Sequence, residues 1–400
     1  PLEAALAARA SGLAPSREAA FAVFKQLGFP HRRIEGWRWS DYYAATREAA
    51  NAPANDAVTP PPLAADLAGL KPFEIRVVNG RIEMSADGPQ KGVRCGVIDA
   101  AGAVAAPENH PIAALNMAMT QQALEIEIAQ GIDLAQPILI RHINAGAGFS
   151  FAQAMARLES GARATIIETF EGEGAAFHSH LFHAALKDSA RLDRAVIQET
   201  GPEAVIHSIF TAEIAARGVF NQASLSTGAR LSRHETHAHF AAAGAQADIA
   251  SAALLSGARH SDFTSEIVHE GENCTTRQRH KGVARDQGRN VFQGKFRVLR
   301  GAQKTDARMN ADALLLSDRA ESNAKPELEI YADDVECAHG STVGALDKDA
   351  IFYMRQRGLT EAAARALLIE AFVASAFENV AHPGIAQLFH RRVAGWLEGA

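Results

Sequence analysis

Residues 228–259 read Gly228-Ala-Arg-Leu-Ser-Arg-His-Glu-Thr-His-Ala-His-Phe-Ala-Ala-Ala-Gly-Ala-Gln-Ala-Asp-Ile-Ala-Ser-Ala-Ala-Leu-Leu-Ser-Gly-Ala-Arg259, and this stretch decides the fold. Gly-Ala dipeptides stand at Gly228, Gly244 and Gly257, so two strand-length runs lie between small turn residues. The spacing from Gly228 to Gly257 gives a period of about 29 residues, which Gly244 divides. Short strands that recur at a period near thirty indicate a β-solenoid, in which stacked coils bury one face of every strand.

The same texture extends well beyond this stretch. Pro137-Ile-Leu-Ile-Arg141 and Ala164-Thr-Ile-Ile-Glu168 are short apolar runs of the same kind, and the triplet Gly-Ala-Arg also occurs at residue 161. We therefore predict a mainly β protein with a solenoid core. Because the repeat is irregular, the spacing alone leaves a β-sandwich open as an alternative.

Changes in texture divide the chain of 400 residues into three parts. We predict a helical and mixed N-terminal region over 1–135, with a Pro-rich linker near 51–62. The β core spans 136–340, and a C-terminal helical region spans 341–400. Within these parts we expect helical structure over 2–28 and a helix that begins at Pro111, since proline suits the first turn of a helix.

The C-terminal region shows apolar residues at helical spacing. Ile369, Phe372 and Phe377 belong to a run that follows the i, i+3, i+4, i+7 pattern, and Thr360 is a suitable N-cap. Helices this apolar pack on each other, on the solenoid or on a partner. We therefore name Ile369, Phe372 and Phe377 as candidate partner-binding residues.

Composition narrows the class of protein. Hydrophobic residues make up 47% and charged residues 22%, which indicates a globular chain, and the net charge of −6 argues against a general nucleic-acid binder. Three cysteines suggest no disulfide framework. The first residues lack a secretory pattern, and every apolar run is too short to span a membrane. We expect a cytoplasmic protein without a membrane or nucleic-acid partner.

Histidines support one functional hypothesis. Two groups are close in sequence: His178, His180 and His183, and His234, His237 and His239. The run His234-Glu-Thr-His237 resembles a zincin signature, but Ala238 stands where the second histidine of that signature belongs. One hypothesis for the function is therefore a metal-dependent β-helix enzyme that uses these clusters. Polar residues stacked on a solenoid surface would explain them without a metal.

Another candidate site lies where the β texture ends. The stretch Tyr331-Ala-Asp-Asp-Val-Glu-Cys-Ala-His-Gly-Ser-Thr-Val-Gly344 places a thiol and an imidazole two residues apart. On an extended backbone Cys337 and His339 share one face. Both groups bind iron and other soft or borderline metals, but two ligands do not complete a coordination sphere. The remaining ligands must come from elsewhere in the chain or from another chain.

A longer stretch carries a family resemblance. Residues 326–344, followed by Leu346-Asp347 and Phe352-Tyr-Met-Arg-Gln-Arg-Gly358, resemble the C-terminal signature of the SufB/SufD family of iron–sulfur cluster assembly scaffolds. Within the family the chain is similar to SufD, because Ser317-Asp-Arg-Ala-Glu-Ser-Asn323 lacks the solenoid cysteine that SufB carries in this region. The resemblance implies a right-handed parallel β-helix between helical regions.

The resemblance also implies partners and a site. It implies pairing with a SufB-like paralogue and binding of a SufC-like ABC-type ATPase, and it places iron or nascent-cluster binding on His339, with Cys337 as a weaker candidate. The run Gly288-Arg-Asn-Val-Phe-Gln-Gly294 has five residues between its glycines where a phosphate loop has four, so the ATPase would be the partner. We expect a non-catalytic subunit with no tightly bound cofactor, which forms a homodimer when isolated. Whether the complex uses a flavin is left open.

Overall fold

Two sheets wound from alternating strands form the body of the protein. We describe it from a computed structural model that covers residues 2–10, 12–47, 58–84, 88–100, 104 and 106–399. In this part of the chain, one sheet holds β1 (Phe73–Val78), β2 (Arg81–Met84), β5 (Ile138–Ile143), β7 (Arg163–Glu171), β9 (Arg191–Gln198), β11 (Val219–Ser226), β13 (Gln246–Leu255), β15 (Thr275–Ala284), β17 (Asp306–Leu315) and β19 (Glu336–Gly344). The other holds β3 (Val93–Asp99), β4 (Gln122–Ile128), β6 (Gly148–Leu158), β8 (Ala176–Leu186), β10 (Val205–Ile214), β12 (Leu231–Phe240), β14 (His260–His269), β16 (Arg289–Val298) and β18 (Glu321–Ile330).

The chain passes from one sheet to the other at every turn, which makes a parallel β-helix of about eight coils. Strands of successive coils pair in parallel: Val219 lies beside Gln246, and Thr275 lies beside Asp306. Each coil therefore takes up about 30 residues, as the sequence repeat predicts. This confirms the predicted parallel β-helix and excludes the β-sandwich. Antiparallel pairs occur at the N-terminal end, where β2 pairs with β1 and β3 pairs with β4.

The alternation of each strand explains the core. Inward-facing residues fill the interior, among them Phe182, Phe210 and Phe220, which are fully buried. Hydrophobic burial of this kind contributes about 25 cal/mol for each Å² removed from water. In the first coils some of the inward-facing residues are polar. His142, Glu168 and His180 point into the interior, because they alternate along their strands with neighbours that face outward.

Helices flank the solenoid at both ends of the chain. They are α1 (Leu2–Arg9), α2 (Pro15–Leu27), α3 (Tyr42–Thr46), α4 (Ala65–Ala68), α5 (Pro111–Met119), α6 (Lys348–Gln356), α7 (Glu361–Ala374) and α8 (Pro383–Glu398). Two helices, α1 and α2, form the stretch 2–28 that we expect to be helical: Gly12 between them adopts a φ of 76°, and Pro15 starts α2. The start at Pro111 and the Thr360 cap, which accepts a hydrogen bond from the Ala363 amide, are confirmed.

Strands of both sheets lie outside the predicted core limits of 136 and 340. β1 pairs with β5 and β4 pairs with β6, so strands of the predicted N-terminal region continue both sheets. The division into three domains stays a prediction. Of the predicted linker, residues 51–57 lie outside the described residues and 58–62 form no regular structure. Among the helices described, none is long and apolar enough to cross a membrane.

Candidate functional site at the last coil

The turn before β19 is fastened to the preceding coil. Asp333 and Asp334 lie between β18 and β19. The Lys304 amide donates to the Asp334 carbonyl at 2.7 Å, and the Asp334 amide donates to Oε1 of Gln303 at 3.0 Å. The Lys304 ammonium also pairs with the Asp334 carboxylate. These contacts fix the position from which β19 starts.

The register of β19 decides where Cys337 and His339 point. Cys337 lies beside Ala307 of β17, and His339 lies beside Met309. Neighbours in a parallel ladder share a face, and Ala307 and Met309 are buried in the solenoid interior. Cys337 and His339 therefore occupy the same, interior-facing side, as their spacing predicts. No further strand follows β19 in its sheet within the described residues, so Cys337 is half-buried and His339 is exposed.

The chemistry of the two side chains differs. Burial raises the pKa of the Cys337 thiol, although a backbone hydrogen bond from Ala307 opposes the shift, so the thiol is protonated at neutral pH. Within the described residues, the His339 imidazole has no hydrogen-bond partner, and neither side chain belongs to a group of three ligand atoms. The last coil offers metal ligands but does not complete a site.

Exposed apolar residues lie near the last two strands in sequence, on β19 itself and on α6, the helix that follows it. β18 and β19 are the outermost strands of their sheets at this end, and edge strands carry backbone N–H and C=O groups that can pair with another strand. Tyr331 and Val343 are more than half exposed at the edge, and Phe352 and Tyr353 of α6 are 64% and 60% exposed. An apolar surface beside an unpaired edge is typical of a protein interface.

The candidate partner-binding residues lie elsewhere. Ile369 and Phe377 are buried in a cluster between the C-terminal helices and the outer face of the ten-stranded sheet, and Phe372 packs at its margin beneath the Lys281 ammonium. The Phe377 ring stacks on Phe389 with centroids 4.5 Å apart. Their apolar periodicity thus reflects docking of the helices on the solenoid. Leu367, on the helix α7 that carries Ile369 and Phe372, is apolar and exposed. That this region binds a partner stays a prediction.

The two histidine groups seen in the sequence are each divided by strand alternation. His178, His180 and His234 point into the solenoid and are buried, whereas His183, His237 and His239 point outward. His239, for example, contacts Glu213 at 3.0 Å and Glu270 at 2.7 Å. Neither sequence group forms a single site, because neighbours along a strand face opposite directions.

Ligand atoms converge instead in two groups drawn from different coils. His142, Glu168 and His180 form one group inside the solenoid, and His110, His207 and Glu235 form the other on the outer side of the nine-stranded sheet. Sequence reasoning missed both. Strand parity would have placed Glu168 and His180 inside, but their proximity depends on how two sheets face each other across the interior.

Comparisons with known proteins find a family model and several relatives that match the chain. Residues 141–372 match the family model described as SUF system FeS cluster assembly, SufBD core domain. The chain is 34% identical over 295 residues to the iron–sulfur cluster assembly protein SufD of Escherichia coli, which covers 71% of this chain and 69% of that protein. It is 29% identical over 285 residues to the chloroplastic protein ABCI7 of Arabidopsis thaliana, covering 68% of this chain and 60% of that protein.

A third relative, SufD of Bacillus subtilis, is 30% identical over 129 residues, which cover 32% of this chain and 30% of that protein. The matched regions thus range from about a third to about two thirds of the relatives' lengths.

Proposed function

The chain belongs to the SufBD family of iron–sulfur cluster assembly proteins, and on this premise we propose that it is a non-catalytic scaffold subunit of a cytoplasmic assembly complex. In that complex it pairs with a SufB-like paralogue, while a SufC-like ABC-type ATPase supplies the energy. Its role is to contribute to the binding of iron or a nascent cluster at the paralogue interface.

The observation that carries this proposal is the placement of His339. The imidazole is exposed on an edge strand that also carries the exposed apolar residue Val343, and it has no hydrogen-bond partner in the described part of the chain. An edge strand of the paralogue that pairs with β19 would bring its own side chains next to His339. A histidine from one chain and thiolates from the other together make a ligand set suited to iron.

Sharing the ligands has a functional consequence. Iron and sulfide are cargo here, and a site that exists only in the assembled pair releases its cargo when the pair moves apart. Cys337 is the weaker second candidate, because burial keeps its thiol protonated until a metal displaces the proton. The ATPase would contact the C-terminal helices through their exposed face, which includes Phe352, Tyr353 and Leu367.

The test is the variant His339→Ala, expressed together with both partners. We expect the variant to fold and to co-purify with the partners, because His339 is exposed and has no hydrogen-bond partner among the described residues, but to lose cluster assembly in a cell that depends on this pathway. Ser341→Ala is the matched control, since Ser341 is exposed two residues further along the same face of β19. Full cluster formation by His339→Ala would contradict the proposal.

The same edge bears on the isolated chain. Without a paralogue, β19 and the apolar residues around it remain available to a second copy of this chain. We propose that the isolated chain forms a two-fold homodimer through this end, since the same surface patch then serves both partners.

A further inference from the structure

A compact group of ionisable side chains lies inside the first coils of the solenoid, far along the chain from His339. His142 comes from β5, Glu168 from β7 and His180 from β8, and none is more than 1% exposed. Nε2 of His180 lies 2.9 Å from Oε1 of Glu168, and Nε2 of His142 lies 3.4 Å from the same oxygen. The two imidazole centroids are 4.1 Å apart.

These ligand atoms are unusual because hydrogen bonds do not account for them. Among the described residues, both ring nitrogens of His142, both of His180 and Oε1 of Glu168 are buried without a hydrogen-bond partner, since the two short contacts are poorly aligned for one. A buried polar atom that loses water and gains no partner costs free energy. Five such atoms in one cluster indicate that something besides the protein completes their bonding.

The second ligand group shows what a completed cluster is like. Glu235 accepts hydrogen bonds from Nε2 of His110, His207 and His237 at 3.0 Å each, and from Nε of Arg233 at 2.6 Å. Hydrogen bonds therefore account for both oxygens of that carboxylate. The group around Glu235 needs no ion, whereas the group around Glu168 remains incomplete.

Arg194 prepares the carboxylate for a ligand. It donates from Nε to Oε2 of Glu168 at 2.6 Å and from Nη1 to Gln222 at 2.7 Å, which leaves Oε1 directed toward the histidines. The ion pair between Arg194 and Glu168 favours the carboxylate, which is the form of the side chain that binds metals.

We propose that His142, Glu168 and His180 bind one divalent transition-metal ion, Zn²⁺ or Fe²⁺, inside the β-helix. Two histidines and one carboxylate are a common donor set for both ions. Two ligand atoms on one tetrahedral ion lie about 3.3–3.6 Å apart. The 3.4 Å between His142 and Glu168 falls in this range, whereas the 2.9 Å between His180 and Glu168 is shorter, so a bound ion requires these two side chains to move apart. His178 provides a neighbouring ring: its Nε2 is also buried without a hydrogen bond, and its centroid lies 5.4 Å from that of His142.

The ion would tie three strands from both sheets together across the interior. This site is separate from the one proposed at His339, because β5, β7 and β8 belong to the first coils and β19 to the last. The inference therefore does not depend on cluster assembly. Although the positive charge of Arg194 opposes the binding of a cation, Arg194 also holds Glu168 in the orientation that presents Oε1.

The test measures the metal content of the whole chain. Wild-type protein is expressed in media supplemented with Zn²⁺, Fe²⁺ or Co²⁺, because a buried site fills most readily during folding. We expect about one equivalent of metal per chain by elemental analysis, and visible d–d absorption from the cobalt form. Glu168→Gln and His180→Asn lower the content at least about tenfold.

The matched control is His280→Asn. His280 is also buried inside the solenoid, but both ring nitrogens are paired, with Ser251 at 2.9 Å and Asn290 at 2.9 Å. Its replacement leaves metal content unchanged. The proposal is overturned if wild-type protein holds no more metal than Glu168→Gln. If both site variants fail to fold, anomalous diffraction from wild-type crystals decides: a metal peak at His142 and His180 supports the site, and a water molecule there overturns it.

Discussion

Arg233 holds the N-terminal segment around Gly36 and Trp37 against the solenoid, and the free energy of unfolding lost on its removal can be estimated. The guanidinium is buried and donates from Nε to Glu235 at 2.6 Å and from Nη1 to Asp262 at 2.8 Å. Nη1 also donates to the Gly36 carbonyl at 2.9 Å, and the group lies 4.0 Å from the Trp37 ring centroid. One side chain from β12 thus contacts the segment before α3 and two buried carboxylates.

We expect Arg233→Met to lower the free energy of unfolding by about 3–5 kcal/mol, because it leaves buried carboxylates without their cation. Loss of the cation–π contact adds about 0.5–1 kcal/mol. The pKa of Glu235 also rises, since burial alone favours the protonated form and Arg233 is the largest opposing influence. Arg297→Met is the matched control: Arg297 makes ion pairs with Glu266 and Glu329 but is 39% exposed, so its loss costs about 0–1 kcal/mol.

The assay is equilibrium unfolding in urea, followed both by far-ultraviolet circular dichroism and by tryptophan fluorescence. Trp39 and Trp396 are replaced by phenylalanine, so that the fluorescence reports on Trp37 alone. In Arg233→Met we expect Trp37 to become exposed at lower urea than the solenoid unfolds, since the N-terminal segment loses its anchor. A stability within about 1 kcal/mol of Arg297→Met would refute the reasoning.

Two further predictions concern protons and the exposed edge. Burial lowers the pKa of His280 to about 4, so the unfolded chain binds more protons than the folded chain between about pH 6.5 and 4. The stability of the fold therefore decreases as the pH falls through that window. In His280→Asn we expect stability to depend less steeply on pH, and a dependence as steep as in the wild type would contradict the assignment. Val343→Lys places a charge on the edge strand β19, and we expect it to convert the isolated homodimer to a monomer, as measured by light scattering. The control Val23→Lys, on α2, leaves the mass of the homodimer unchanged. A Val343→Lys protein that remains dimeric would exclude β19 as the dimer interface.

Local features were predictable because they depend on neighbours in sequence. The repeat from Gly228 to Gly257 reflects the length of one coil, and the parallel pairing of successive coils has the same period of about 30 residues. Thr360 caps its helix through a hydrogen bond from the nearby Ala363 amide. The shared face of Cys337 and His339 follows from strand alternation. The stretch 2–28 is helical as predicted, and Gly12 and Pro15 divide it into two helices.

The sequence did not predict what the apolar face of a C-terminal helix packs against. Ile369 and Phe377 show the periodicity of a helix that buries one face, but that pattern is the same for a face that packs on the chain itself and one that binds a partner. The structure decides for the solenoid, because the outer face of its ten-stranded sheet offers a matching apolar surface.

The sequence by itself determined the length of the repeat, the helix caps and the shared face of Cys337 and His339, since strand period, capping and alternation act over short distances along the chain. The spacing left a β-sandwich open, and the parallel pairing of successive coils excluded it. Only the tertiary structure brought Glu168 to His142 and His180, and Arg233 to Trp37. These contacts join different strands or distant segments, and they exist because two sheets face each other across a closed coil or because the N-terminal segment docks on it. Chain spacing cannot encode such distances, as they depend on the register of every intervening coil.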